Sequence, residues 1–306
     1  MSFKLTILGS SGALPAYGRF PSSQHLSLHN HNFLVDCGEG TQLQLARFNI
    51  SIHKISQIFI SHLHGDQYLG LTGLLFSMHL QRRESDLHIY SFKGLDEILL
   101  AQLKHSKSVL YFKIIFHTLQ EGKVETILDE ESFSVDTIPL DHKIKTSGFL
   151  FREKARPLNI DKSKLKTDIS VHHIAQLKRG LDILDDHGKV LYRSSEFTML
   201  PKPPVSYAYC SDTQPSKTVS GQIQGVDLLY HEATFMEEES AKARETKHST
   251  ASEAGRIAKL GNVKKLVIGH FSARYKDLGP LLEEARSIFP ETYLAIEGES
   301  FELKTK

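Results

Sequence analysis

The chain has 306 residues, 40% hydrophobic and 24% charged, with 37 Lys and Arg against 36 Asp and Glu for a formal net charge of +1. That balance suits a soluble globular chain of one large domain or two average ones, long enough to bury a substantial core. Near-neutrality excludes a global field toward nucleic acid, so any such attraction has to be local.

The opening "MSFKLTILGSSG" has an apolar run too short for a signal peptide and reads as a first strand over 4–9. "FLVDCG" (33–38) is a second glycine-ended strand, and "EGTQLQLARF" (39–48) a helix. "QIFIS" (57–61) reads as a buried strand, "YLGLTGLLFSMHLQR" (68–82) as the helix after it, and "LHIYSF" (87–92) as a strand before a helix over 94–107. Strand patterns recur at 113–119, 132–140 and 147–153, then at 205–212, 227–233, 264–270 and 293–298. The segment 248–261 is the clearest helix: Thr250 and Glu253 can form a capping box, Ala254, Ile257 and Ala258 make an apolar face, and Gly261 follows as a stop. Strands alternating with helices throughout give α/β layers. No stretch approaches the roughly 18 apolar residues that a spanning helix needs. Cys37 and Cys210 have no metal-knuckle spacing and are expected as reduced, buried thiols of a cytoplasmic protein.

Residues 152–204 differ from the rest. They hold 11 Lys and Arg against 7 Asp and Glu, a local balance of +4, and end in "PKPP". Their periodicity is weak. They read as an arm inserted between two core strands, either merely solvated or gripping phosphates through clustered cations.

"IFISHLHGDQYLG" (58–70) places His62, His64 and Asp66 on alternate positions behind an apolar run. Imidazoles suit zinc, and Asp66 adds a carboxylate. Gln67 stands where a fourth strong ligand is expected. Three other predicted strands end in a candidate ligand: His142, Asp212 and His270. Sites in α/β sheets gather at strand ends. Five strand-end ligands and a carboxylate able to bridge point to a two-metal hydrolytic centre, in which the ions sit about 3.5–4 Å apart.

With "TILGSSGALP", "FLVDCGEGTQLQL", "SHLHGDQYLGLTGLL", "HEATF" (231–235), "HSTA" (248–251) and "LKRG" (177–180), the chain resembles the metallo-β-lactamase superfamily and, within it, the ribonuclease Z family over nearly its whole length. The resemblance implies an αββα sandwich of two mixed sheets flanked by helices over 1–306, with 152–204 as a protruding arm that serves as a tRNA exosite. It implies one zinc held by His62, His64 and His142, with Asp212 bridging. The second ion falls to Asp66, His270, Asp212 and residue 67, a histidine in the family. It further implies that Asp36 orients a ligand imidazole, that Glu232 and His248 supply the leaving-group proton, and that Asp66 orients or deprotonates water. Lys178 and Arg179 become phosphate contacts, precursor tRNA the substrate, and a homodimer the assembly, with no membrane. An amide is a weaker zinc ligand than imidazole. Gln67 therefore predicts a weak second position tilted toward manganese or magnesium. The chain departs from the family at "SVHHIAQ", where a Gly-Pro element is expected, and at "PAYGRFPSS", where a charged loop is usual. Two other readings stay open on the sequence: a small-molecule phosphodiesterase or ester hydrolase of the same fold, and a catalytically silent RNA-binding homologue.

Overall fold

The computed structural model describes residues 3–165 and 169–304. Two seven-stranded sheets stack face to face. The first runs, edge to edge, Ser300–Leu303, Phe3–Gly9, Ser23–Leu28, His31–Cys37, Ile55–Phe59, Leu87–Ser91 and Ile114–Thr118. The second runs Thr292–Leu294, Leu266–Gly269, Leu228–Glu232, Ser206–Cys210, Ser147–Glu153, Phe133–Pro139 and Thr126–Asp129. Both mix parallel and antiparallel pairs.

Alternation along each strand builds the layers. In Ile55–Phe59, Ile58 joins the apolar cluster beneath the helices, while Phe59 turns into the gap between the sheets. There its ring centroid lies 5.3 Å from that of Phe149 and 5.4 Å from that of Phe151. Burying an aromatic side chain of this kind contributes about 1.5–3 kcal/mol, and the gap also holds Phe33, Phe133, Tyr207 and Tyr209. Helices Thr41–Arg47, Gly70–Leu80 and Leu95–His105 cover the outside of the first sheet. Helices Lys217–Gln222, Ala251–Leu260 and Gly279–Arg286 cover the second. No helix among the described residues is long and apolar enough to cross a membrane.

The αββα sandwich is the architecture expected from the sequence, but three edge or polar strands escape a sequence reading. Ser23–Leu28, Thr126–Asp129 and Ser300–Leu303 carry many polar residues, and their pairing is set by neighbours distant in sequence. The expected strand over 293–298 stops at Leu294. There the chain leaves one sheet for the other: Ala295 N–H donates to Ile268 O, and Gly298, with φ 89°, donates to Ile7 O. The capping box at Thr250 and Glu253 is present. Gly261, however, has φ −75°. The left-handed residue that ends this helix is Asn262, with φ 46°. Gly261 is required for space instead, since a Cβ there would lie 2.7 Å from Ile223 Cγ1.

Residues 154–204 leave the second sheet between Ser147–Glu153 and Ser206–Cys210, which remain antiparallel neighbours, Phe151 opposite Tyr207. Residues 166–168 lie outside the described residues. The segment holds a helix, Val171–Lys178, capped by Ser170, and two short strand pairs. Its own apolar cluster is Ile169, Leu177, Ile183 and Phe197. At its base Glu153 N–H donates to Val205 O at 3.0 Å, and the Glu153 carboxylate accepts from Val205 N–H at 3.1 Å.

Candidate metal centre

The candidate ligands sit in turns at one end of the sandwich. His62 and His64 follow strand Ile55–Phe59, and Asp66 and Gln67 lie in the single-turn helix Gly65–Tyr68. The expected helix from 68 is therefore two: this turn, then Gly70–Leu80. His142 follows Phe133–Pro139, Asp212 follows Ser206–Cys210, and His270 follows Leu266–Gly269. His270 is left-handed, with φ 58°. A non-glycine residue there is uncommon and marks a backbone over-determined by its surroundings.

The ligand atoms of His62, His64, His142 and Asp212 all lie within 4.8 Å of one another. His62 Nε2 is 3.0 Å from His64 Nδ1 and 3.4 Å from Asp212 Oδ2, which is 3.8 Å from His142 Nε2. Asp212 Oδ1 faces the other way, 3.1 Å from His270 Nε2. That nitrogen is also 3.2 Å from Asp66 Oδ2 and 3.4 Å from the Gln67 amide nitrogen. Asp212 thus divides its two oxygens between two sets of donors.

The donor atoms fit divalent cations. Three imidazoles and a carboxylate form a zinc-type set. His142 Nδ1 is spent on the carbonyl of Lys247 at 2.9 Å, and its Nε2 is buried with no partner, aimed at the centre. Burial pushes His142 down to about 4, so the ring is neutral and its lone pair available. His64 is lowered as well, first by burial and then by His62. The second set differs. Burial disfavours charge on His270, but Asp212 and the hydrogen bond to Asp66 outweigh it and raise the ring to about 10. Gln67 is fully buried; its amide donates to Asp66 Oδ2 at 3.0 Å, and its carbonyl oxygen has no partner.

Surrounding groups set the ligand rings. Thr234 Oγ1 is 3.0 Å from His270 Nδ1. Asp36, expected to orient a ligand imidazole, reaches His62 through Ser61. Its carboxylate accepts from Ser61 N–H at 2.7 Å and Ser61 Oγ at 2.9 Å, and Ser61 Oγ lies 3.1 Å from His62 Nδ1. The Tyr209 hydroxyl also donates to Asp36. Burial raises Asp36 to about 6, against these bonds. Ser61, Thr234 and the Lys247 carbonyl have no sequence signature, because their roles come from through-space contact.

His248 and Glu232 meet beside the second set. His248 Nδ1 is 2.8 Å from Glu232 Oε1, and Glu232 is fully buried, accepting also from Thr213 N–H and Thr234. Burial disfavours the His248 imidazolium, yet the Glu232 charge and hydrogen bond hold it above its ordinary value. The His248 ring centroid is 4.9 Å from that of His142 and 5.5 Å from that of His270. The donor atoms of His248, Asp212 and His270 also lie within 4.8 Å of one another, so His248 borders the second set. Lys178 and Arg179 are far along the chain in the arm, exposed at the end of helix Val171–Lys178. They line an open cavity of about 440 Å³ with Arg156, a cation the sequence reading did not single out.

Sandwich and ligand set together define a metal-dependent hydrolase of the metallo-β-lactamase fold. Residues 3–182 match the family model described as anti-Pycsar protein Apyc1. Ribonuclease Z of Cytophaga hutchinsonii is 49% identical over 301 residues, 98% of this chain and 96% of that one. Ribonuclease Z of Bacteroides fragilis is 44% identical over 296 residues, 96% and 97% of the two chains. Among solved structures, the short form of human tRNase Z matches with TM-score 0.72 at 25% identity, over 97% of this chain and 98% of that one. The metallo-beta-lactamase fold protein YhfI of Bacillus subtilis matches with TM-score 0.70 at 19% identity, over 99% and 100%, a likeness of fold alone. The chain belongs to the ribonuclease Z family and, through residues 3–182, to the family of that model as well.

Proposed function

We infer that this chain is a metal-dependent endoribonuclease that removes the 3′ trailer from precursor tRNA by hydrolysing one phosphodiester. The observation that carries the reading is Asp212, whose two oxygens serve separate donor sets with His248 and Glu232 alongside. His62, His64, His142 and Asp212 hold zinc. Asp66, His270, Asp212 and Gln67 form a weaker position that favours manganese or magnesium. Bound there, divalent ions supply Lewis acidity and lower the pKa of the attacking water.

The chain's own residues do the rest. Asp66 orients the attacking water. Its carboxyl is disfavoured as an anion by burial but held below its ordinary value by His270, which suits orientation better than proton storage. The water passes one proton to solvent as its oxygen bonds to phosphorus and the bond to the ribose 3′-oxygen breaks. His248, whose charged form Glu232 favours, gives that oxygen a proton. The products are a tRNA 3′-hydroxyl and a trailer 5′-phosphate. Lys178 and Arg179, with Arg156, grip phosphates at a distance from the cut, so the arm binds and the centre cleaves. The arm of one subunit serves the site of its partner in a cytoplasmic homodimer.

The test uses chelator-stripped protein reloaded with zinc, manganese or magnesium and given precursor tRNA. Cleavage is expected at the trailer junction. Asp212→Ala should lose both metal and cleavage. His248→Ala should keep its metal and slow by about 10²–10⁴-fold. A precursor bound but uncut under all three ions overturns the reading.

A further inference from the structure

Loop 10–20 braces the second donor set. Gly12 N–H donates to Phe271 O, and Ala13 N–H donates to Asp66 Oδ2 at 3.0 Å. A Cβ on Gly12 would collide with the His270 ring at 2.8 Å, so the loop lies directly against that imidazole. Both ends of the loop are pinned by Glu297, whose Oε1 accepts from Ser10 Oγ, Ser10 N–H and Phe20 N–H.

The outer part of this loop is a two-residue hairpin. Ala16 and Arg19 exchange both backbone hydrogen bonds, at 3.2 and 2.9 Å. The central residues are Tyr17, with φ 56°, and Gly18, with φ 80°. Positive φ at both centres is the type I′ turn, which strongly prefers Asn-Gly or Asp-Gly. A bulky aromatic in the left-handed region is an outlier, and such strain persists where the surroundings enforce it.

Here they do. Arg19 is 8% exposed, and its guanidinium is fixed to the carbonyls of Tyr275 and Lys276 at 2.6 and 3.4 Å. Its Cζ lies 5.3 Å from the Tyr17 ring centroid, within reach of a cation–π contact. Tyr17 itself is 56% exposed. The chain therefore accepts backbone strain to hold an aromatic ring in solvent, backed by an immobile cation. Tyr17 is four residues from Ala13, whose amide touches Asp66, so it lies within about 14 Å of that contact.

We propose that Tyr17 is a stacking platform for an unpaired base of the RNA strand close to the cleaved phosphodiester. The proposal rests on the endoribonuclease reading. Single-stranded RNA is bound by stacking bases on aromatic rings, and a cation adds to the contact. A ring held rigid before binding loses little freedom on stacking. Tyr17 is a substrate-binding residue and takes no part in bond cleavage.

The test compares Tyr17→Ala, Tyr17→Phe and Tyr17→Asn in the full-length, metal-loaded protein. Substrates are precursor tRNA, the same precursor with abasic nucleotides flanking the cut, and bis(p-nitrophenyl) phosphate. Tyr17→Ala should raise KM for the precursor about tenfold or more and leave kcat and the small diester unchanged. Tyr17→Phe should behave as the parent. The abasic precursor should erase the difference between parent and Tyr17→Ala. Tyr17→Asn should raise the melting temperature, because Asn suits the turn, while losing precursor affinity. A parental KM in both Tyr17→Ala and Tyr17→Asn overturns the proposal, as does a penalty that survives on the abasic precursor. If the parent turns over only the small diester, the endoribonuclease reading has failed instead.

Discussion

Gln67 spends its amide hydrogen on Asp66, Nε2 to Oδ2 at 3.0 Å, and leaves its carbonyl oxygen buried without a partner. Presenting that oxygen to a cation means turning the amide over and giving up the bond to Asp66. An imidazole offers a lone pair without that exchange. Gln67→His is therefore expected to raise zinc content from about one ion per chain toward two, tightening the second position by about 10–100-fold. Elemental analysis after equilibration with a chelator series checks it. Equal content in parent and variant would remove the account of an unequal pair.

The arm can be removed where its ends already meet. With 154–204 replaced by a short turn between Glu153 and Val205, turnover of a small phosphodiester should persist and precursor cleavage should be lost. In the intact chain, neutralising Arg156, Lys178 and Arg179 should weaken precursor binding. It should also flatten the plot of log affinity against log salt by about 0.7–0.9 for each phosphate left without its cation. Binding measured across a salt series reads this directly. If the armless chain loses the small substrate as well, binding and cutting are not separable in this way.

Thr250 caps helix Ala251–Leu260 two residues after His248. Thr250→Ala should cost about 1 kcal/mol, visible as a melting point lower by about 1–2 °C. Precursor cleavage should slow as the segment holding His248 loosens. Thr250→Ser keeps the hydroxyl and should restore both, which a thermal melt and a rate measurement can decide together.

His25 gives a pH effect remote from the metal ligands. It is 7% exposed, and burial lowers it to about 4, although Asn32 hydrogen-bonds to its ring. Below the ordinary imidazole value the unfolded chain takes up a proton that the folded chain refuses. Stability should therefore fall as pH drops from about 6.5 toward 4, with His25 contributing up to about 3 kcal/mol of the loss. Denaturant titrations at neutral and mildly acidic pH should show a smaller loss for His25→Gln than for the parent. An identical loss would acquit His25.

The candidate ligands that the fold brings together are readable because each follows an apolar strand whose end is marked by a polar turn. His62, His64 and Asp66 needed only local spacing, while His142, Asp212 and His270 needed the rule that sites gather at strand ends. Strand Ser23–Leu28 was hidden because it opens on three consecutive polar residues, Ser23, Gln24 and His25, whose burial depends on distant partners. Gln24, for example, accepts from the Tyr207 hydroxyl. The detour from Asp36 through Ser61, the Lys247 carbonyl on His142 and the cation Arg156 were equally hidden. Each depends on packing between segments far apart in the sequence, and local spacing carries no trace of it.

The seam at Glu153 and Val205 has a consequence for how such a molecule can change. The strands on either side pair directly, Phe151 opposite Tyr207, so the outgrowth leaves the sheet through one narrow attachment. Lengthening, shortening or exchanging it should leave the turns carrying His142 and Asp212, at the far ends of the flanking strands, undisturbed. If the outgrowth does grip the RNA, editing its fifty-odd residues would redirect the same scissors to a differently shaped nucleic acid and touch none of the blade.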